Sequence, residues 1–243
     1  MKAEQLQLAL RPRPAYEAVD LGVRMTQRNG RSLLRAYLPF ALLMMVACGA
    51  TIEIAPWLPS LLLWWFLPWL DRTLLDIYAR QAFGDTTTFA DAWEARRRAP
   101  WIPMLEWITL WRLSWWRSYS MPVGQLEGQT GSARRQRVKA ILRAHRGGAA
   151  MMQGTFSTIV MCMTLGLVAL IPWMTPGLNP FGDIEWLGSD HLATQLLRYA
   201  AYAVCVLFIE PFFVASGFAM YLNRRVELEA WDVEQDLRHA FER

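Results

Sequence analysis

The sequence predicts an all-α, integral membrane helical protein with about four transmembrane helices in two hairpins, plus interfacial amphipathic helices and a cytoplasmic C-terminal helix. Of its 243 residues, 54% are hydrophobic and 19% are charged, too apolar for an ordinary soluble domain and too charged for a chain lying wholly in lipid. Four apolar runs alternate with polar segments. With both termini inside, 24 of the 25 Lys and Arg residues fall on the inner side or at its boundary, and only Arg198 does not.

The N-terminal segment, residues 1–35, predicts a basic cytoplasmic or interfacial helix. It begins at Pro14 and ends at Gly30, because proline suits the first turn of a helix and glycine its end. Residues 36–80 then predict the first transmembrane hairpin, in which a very short turn separates the first span from Trp57. Both spans are short, so a re-entrant pair is the alternative to full crossing.

The second span combines an apolar start with a charged end. Residues 57–70 are almost wholly apolar, yet they reach only about 21 Å, which is less than a hydrocarbon core of roughly 30 Å. The helix is therefore expected to continue through the next turns, with a kink near Pro68. Carboxylates and guanidinium groups at helical spacing predict salt bridges at the inner membrane boundary, formed by Asp71, Arg72, Asp76 and Arg80.

Residues 81–150 predict a cytoplasmic loop that is first rich in tryptophan and then basic. A short helix over 86–98 is expected to have Thr87 or Thr88 as its cap. The segment from Trp101 to Trp116 suits the headgroup layer, because an indole ring is apolar while its N–H needs a partner.

Turn residues over 120–132 separate the tryptophan-rich segment from a basic helix that is predicted to end at Gly147 and Gly148. This helix is expected to contact anionic membrane lipids or the acidic C-terminal tail. Its cations are Arg134, Arg135, Arg137, Lys139, Arg143 and Arg146.

Residues 151–222 predict the second hairpin, with a third span over 151–173 and a fourth over about 196–222. The loop between them has no Lys or Arg, as expected of an outer loop. Residues 223–243 then form an acidic cytoplasmic helix with an apolar stripe suited to a partner. The stripe consists of Val226, Ala230, Val233, Leu237 and Phe241.

Glu210 is the sharpest candidate for a functional residue. It lies about midway between Tyr199 and Asn223, which predicts a position near the bilayer midplane, where a charge costs about 2.5–3.5 kcal/mol. One interpretation is a proton- or cation-linked intramembrane polar site. The other, favoured because a lone carboxylate makes a poor relay, is a protonated side chain hydrogen-bonded to the third span.

No motif predicts a reaction. Ser189, Asp190 and His191 are consecutive, so they cannot face one another as a catalytic triad. The three cysteines lack metal-ligand spacing, and no nucleotide-binding or hydrolase motif is present. The sequence therefore predicts no catalytic residues, no metal and no cofactor, and the membrane setting argues against nucleic acid as a partner.

Four phrases carry a resemblance: RPRPAYEAVDLGVRM, WWFLPWLDRTLLDIYARQAFG, WRLSWWRSYSMPVGQLEG and YLNRRVELEAWDVEQDLR. Together they resemble a family of uncharacterised gammaproteobacterial inner-membrane proteins, often encoded near MoxR-type AAA+ ATPases. The last phrase is also distantly similar to the membrane domain of some bacterial glycerophosphodiester phosphodiesterases, whose catalytic barrel has no counterpart here. The resemblance implies a bacterial inner (cytoplasmic) membrane location and gives weight to Asp71, Arg72, Arg117, Glu127, Arg224, Arg225, Glu229 and Asp232.

Two hypotheses for function follow. The leading one is a non-enzymatic scaffold or accessory subunit that docks a protein partner, or another copy of itself as a homo-oligomer, through the cytoplasmic loop and C-terminal helix. The alternative is a lipid-handling or transport component with a pocket between spans and Glu210 as its polar centre.

Overall fold

A computed structural model describes residues 13–85, 87–98, 114–174 and 191–229 of the chain. Within these ranges the protein is all-helical and has no strand, as the sequence predicted. The helices are α1 (Ala15–Gly49), α2 (Leu58–Ala82), α3 (Phe89–Arg98), α4 (Arg117–Gln125), α5 (Gly131–Met174) and α6 (Leu192–Glu229).

Helix α6 lies at the centre of the fold and packs against α1, α2, α4 and α5. Two glycines let neighbouring helices approach it closely. A Cβ on Gly22 of α1 would overlap the backbone of Ser216, and a Cβ on Gly217 would overlap Ser118 of α4. The core around these crossings is made of fully buried large side chains, including Leu33, Tyr37, Phe40, Leu70, Leu74, Tyr78, Tyr119, Phe218 and Tyr221.

Three of the described helices, α1, α5 and α6, are long and apolar enough to cross a membrane. Helix α2 is not among them, because the second half of its 25 residues carries Asp71, Arg72, Asp76 and Arg80. Most of the apolar window of α6 is buried inside the protein, whereas almost none of that of α5 is buried. The fold is therefore that of a membrane protein in which α6 is the central helix and α5 presents an apolar surface outward.

Two predicted helix boundaries are wrong. Helix α1 continues through Gly30, which the sequence predicted as its end. In α5 the basic helix and the third apolar run join at a kink at His145 (φ −120°, ψ 21°), two residues before the predicted end at Gly147. Residues 117–125, most of which were expected in a turn, form the buried helix α4. In each case packing of the segment against other helices outweighs the roughly 1 kcal/mol that an interior glycine costs.

The predicted cap of the short helix α3 is confirmed at Thr88. Its hydroxyl donates to Asp91 Oδ2 at 2.6 Å, and its backbone N–H donates to the same oxygen at 2.9 Å. These two hydrogen bonds, the hydroxyl first, lower the pKa of the Asp91 carboxyl below its ordinary value of 3.8. The Asp91 N–H returns a bond to the Thr88 hydroxyl at 3.3 Å, so the two residues cap the helix reciprocally.

Candidate functional site: a buried ion cluster at the end of a cavity

A charged cluster lies where α2, α4 and α6 meet. Nη2 of Arg117, the first residue of α4, is 2.8 Å from Glu210 Oε1 and 3.1 Å from Asp71 Oδ2. The three side chains are 3%, 7% and 0% exposed, respectively. One guanidinium thus joins two carboxylates that are 139 positions apart in the chain (210 − 71), in an environment almost without water.

Burial strengthens the ion pairs of this cluster and also raises the free-energy cost of breaking them. Charge-assisted hydrogen bonds strengthen when water is excluded, but a buried charge that loses its partner is very costly. The Arg117 guanidinium carbon also lies 5.3 Å from the ring centroid of Phe213, within cation–π distance. Its Nε and Nη1 have no hydrogen-bond partner among the described residues. Hydrogen bonding within the described part of the chain therefore does not use all of the Arg117 donors.

Two members of the cluster, Arg117 and Glu210, line a cavity of about 310 Å³ between α2, α5 and α6. Arg117 and Glu210 supply the charged groups, and Gln153 and Ser157 of α5 add polar groups joined by a 3.3 Å hydrogen bond. The remaining walls are mainly apolar and aromatic: Trp64, Leu67, Phe156, Val160, Met161, Thr164, Leu165, Tyr202, Val206, Ile209 and Phe213. A volume near the lower limit of roughly 300–1,000 Å³ for ligand pockets suits a small or single-chain molecule.

The cavity communicates with the outer surface of the helix bundle. Of its lining residues, Met161 is 58% exposed and Leu165 is 61% exposed, both on the outward-facing helix α5. Trp64 of α2 is also partly exposed on the opposite wall. An amphiphilic molecule is therefore able to enter from the side, with its polar part toward the cluster and its apolar part along the walls.

The four predicted boundary charges of α2 differ in burial and in the residues they contact. Asp71 is fully buried and contacts Arg117 across the bundle. The Arg72 side chain is also buried, and the negative charge of Asp76 one turn later stabilises it. Gln125 of α4 donates to the Arg72 carbonyl at 2.8 Å and to Asp76 Oδ1, whereas Arg80 is exposed. Two of the four charges thus lie inside the protein.

The six predicted cations of the basic helix, now the first half of α5, divide in the same way. Arg134 is buried beside Gly124, and Arg137 binds both carboxylate oxygens of Glu127, at 2.8 and 3.1 Å. The Glu127 carboxylate also accepts a hydrogen bond from the Tyr221 hydroxyl at 2.7 Å. An exposed row of four cations remains, namely Arg135, Lys139, Arg143 and Arg146.

The exposed row ends beside a pair of tryptophans. The guanidinium carbon of Arg146 lies 4.4 Å from the ring centroid of Trp116, whose Nε1 donates to the Arg146 carbonyl at 3.1 Å. Trp115 is 61% exposed next to it. Cations and indole rings together are typical of the membrane headgroup layer.

Only the first residue of the predicted partner-facing stripe lies in the described part of the chain. Val226 is 1% exposed, so it belongs to the core and not to a partner-facing surface. The other four members, Ala230, Val233, Leu237 and Phe241, lie outside the described residues. Glu227 is bound by Arg224 at 2.6 Å and faces His145 of α5 at 3.3 Å, so one acidic residue of this end of α6 contacts the basic helix.

Of the three consecutive residues considered for catalysis, Ser189 and Asp190 lie outside the described ranges, and His191 is exposed at the start of α6. No group of three His, Cys, Asp or Glu side chains with the geometry of a metal site occurs among the described residues.

Sequence reasoning singled out Glu210 but missed its partner. Arg117 follows a tryptophan-rich segment that predicts an interfacial position. It also falls within one of the phrases that resemble the family, but that resemblance assigns it no role. Glu210 is therefore not a lone carboxylate, which was the premise for interpreting it as a protonated side chain.

No protein-family model, curated protein or solved structure gives a significant match to the chain.

Proposed function

We propose that the chain is an inner-membrane protein that binds a small amphiphile in the cavity between α2, α5 and α6. The supporting observation is that one cavity combines a charged end, formed by Arg117 and Glu210, with apolar walls and an exposed side. Such a cavity suits a molecule whose polar and apolar parts are joined. This favours the lipid-handling or transport hypothesis, and we assign the protein no chemical step.

The membrane arrangement proposed here has four crossings with both termini on the cytoplasmic side. Helix α2 is about 37 Å long, which exceeds a hydrocarbon core of about 30 Å. In α6, the residues before Glu210 span about 27 Å. We therefore position the ion cluster at the inner membrane boundary, below the midplane position expected from the sequence.

Single-cysteine labelling in intact and opened cells tests this topology, in a background without Cys48, Cys162 and Cys205. We expect Ile54→Cys to react from outside and Thr130→Cys only after the cells are opened, since both positions are exposed. Labelling of Thr130→Cys in intact cells would overturn the arrangement.

Amphiphile binding is tested by native mass spectrometry of the full chain, extracted with its surrounding membrane in lipid nanodiscs. A tryptophan at Val160, which lines the cavity, should remove the bound species, and Ser157→Phe should act in the same direction. The matched control is Ile159→Trp, because Ile159 immediately precedes Val160 on α5 but does not line the cavity. A wild-type protein without a stoichiometric bound amphiphile would refute the proposal, as would equal retention by the Val160 and Ile159 variants when both are folded.

The docking hypothesis is retained as a second proposal for the C-terminal end. The observation that favours it is the position of the exposed cationic row of α5 beside this end, where Arg224 Nη2 is 3.5 Å from the Ala140 carbonyl. A partner, or a second copy of the chain, would bind this row together with residues 230–243. Deleting residues 230–243 should leave the protein inserted but without its co-purifying partner, and unchanged recovery of the partner would remove the proposal.

A further inference from the structure

The polar end of the cavity has an unused acceptor. Glu210 Oε1 accepts the hydrogen bond from Arg117, but no described residue donates to Oε2. The Arg117 Nη2 that binds Glu210 is also shared with Asp71 at 3.1 Å. Glu210 lines the cavity, so a ligand there meets a carboxylate whose negative charge is only partly compensated.

Aromatic side chains line the cavity walls, and one of them, Phe213, lies within one turn of α6 from Glu210. Trp64, Phe156, Tyr202 and Phe213 all line the cavity, from three different helices. The face of an aromatic ring carries negative charge density, and it attracts cations most strongly where water is excluded. The Phe213 ring centroid lies 5.3 Å from the Arg117 guanidinium carbon and 5.9 Å from the Phe156 ring centroid, so these two rings lie at the charged end of the cavity.

The charge of a ligand determines how favourably it interacts with the Glu210 carboxylate and the aromatic rings. Two carboxylates and one guanidinium give the cluster a formal net charge of −1, so an anion near Glu210 would experience net repulsion, although the Arg117 Nε and Nη1 have no hydrogen-bond partner among the described residues. A neutral molecule without a donor would cover Oε2 and leave a desolvated acceptor without a partner. A cation would neutralise the negative charge of the Glu210 carboxylate and make cation–π contacts with the ring faces. The apolar body of the same ligand would contact the remaining walls.

We infer, on the basis of the amphiphile-binding function proposed above, that the ligand is a lipophilic cation whose positive group lies beside Glu210. Its class is that of amines, quaternary ammonium or phosphonium ions with an apolar body small enough for a cavity of about 310 Å³. The rings of Phe213 and Phe156 would lie closest to the cation, and the exposed side between α5 and α2 would be its route of entry.

A pair of organic ions with the same four-phenyl shape and opposite charge tests this inference. Tetraphenylphosphonium and tetraphenylborate are each equilibrated by dialysis with the full chain in nanodiscs of zwitterionic lipid, and binding to empty nanodiscs is subtracted. We expect saturable binding of the phosphonium ion and not of the borate. Glu210→Gln should weaken phosphonium binding at least about tenfold, because it removes the charge while keeping the size of the side chain.

A second pair of variants avoids the ion cluster, in case Glu210→Gln does not fold. Phe156→Leu should weaken phosphonium binding by about two- to thirtyfold through loss of the cation–π contact, because Phe156 lines the cavity and packs against Phe213. Phe208→Leu is the matched control, because Phe208 is 52% exposed and does not line the cavity. Equal effects of the two substitutions would overturn the inference.

The remaining outcomes distinguish the inference from the function on which it depends. Borate binding equal to or tighter than phosphonium binding would overturn the cationic ligand, as would the absence of phosphonium binding. If native mass spectrometry still detects a neutral or anionic amphiphile that Val160→Trp removes, the amphiphile-binding function stands and only the charge assigned to the ligand is wrong.

Discussion

Replacing Arg117 by methionine should destabilise the fold strongly, since it removes the guanidinium but retains a long apolar side chain. Each of its two ion pairs, at 2.8 and 3.1 Å, has a Coulomb energy of about 5–6 kcal/mol at an effective dielectric constant of about 20. Desolvation offsets much of this energy, and breaking a buried pair costs about 3–5 kcal/mol in measured cases. At about 2–4 °C per kcal/mol for a chain of this size, the melting temperature should fall by about 6–20 °C.

Thermal unfolding in lipid nanodiscs, followed by circular dichroism, measures this loss. Adding Glu210→Gln to Arg117→Met should restore part of the stability, because the second substitution removes one of the two carboxylates that lost the guanidinium. Arg135→Met is the matched control and should change stability by less than about 0.5 kcal/mol, since Arg135 is exposed. The reasoning fails if Arg117→Met melts with the control, or if the double variant is no more stable than Arg117→Met.

Three further predictions concern packing, a second ion pair and pH. Gly22→Ala should destabilise the protein by about 1–3 kcal/mol in the same unfolding assay, because its Cβ would overlap the backbone of Ser216. Glu127→Gln should cost about 1–3 kcal/mol, because Arg137 and Tyr221 would lose a charged acceptor and face a neutral amide; a melting temperature equal to that of the wild type would contradict this. The lowered pKa of Asp91 means that its stabilising bond with Thr88 is fully present above pH 3.8 and is lost as the pH falls through the folded-state value. Amide hydrogen exchange in the first turn of α3 should therefore increase, relative to the rest of the chain, only under more acidic conditions, and Thr88→Ala should abolish that dependence.

Local sequence patterns predicted those features that depend on neighbouring residues. The helical continuation of the second span past Asp71 and the cap at Thr88 are both present. The predicted end at Gly30 is not, because Gly30 lies in a helix whose flanking segments pack against other helices, whereas a kink at His145 lies close to the predicted end at Gly147. A helix signal read from sequence thus fails where long-range packing outweighs the local preference for ending.

By itself the sequence determined that the protein is all-helical and of the membrane class, and that Glu210 is an unusual charge within an apolar run. These properties follow from composition and periodicity, which act over a few turns of helix. Only the tertiary structure decided that Arg117, from a segment predicted to be interfacial, joins Glu210 and Asp71 at the end of a cavity. The physical reason is that the free energy of a buried charge depends on which groups surround it, and the fold brings those groups together from distant parts of the chain.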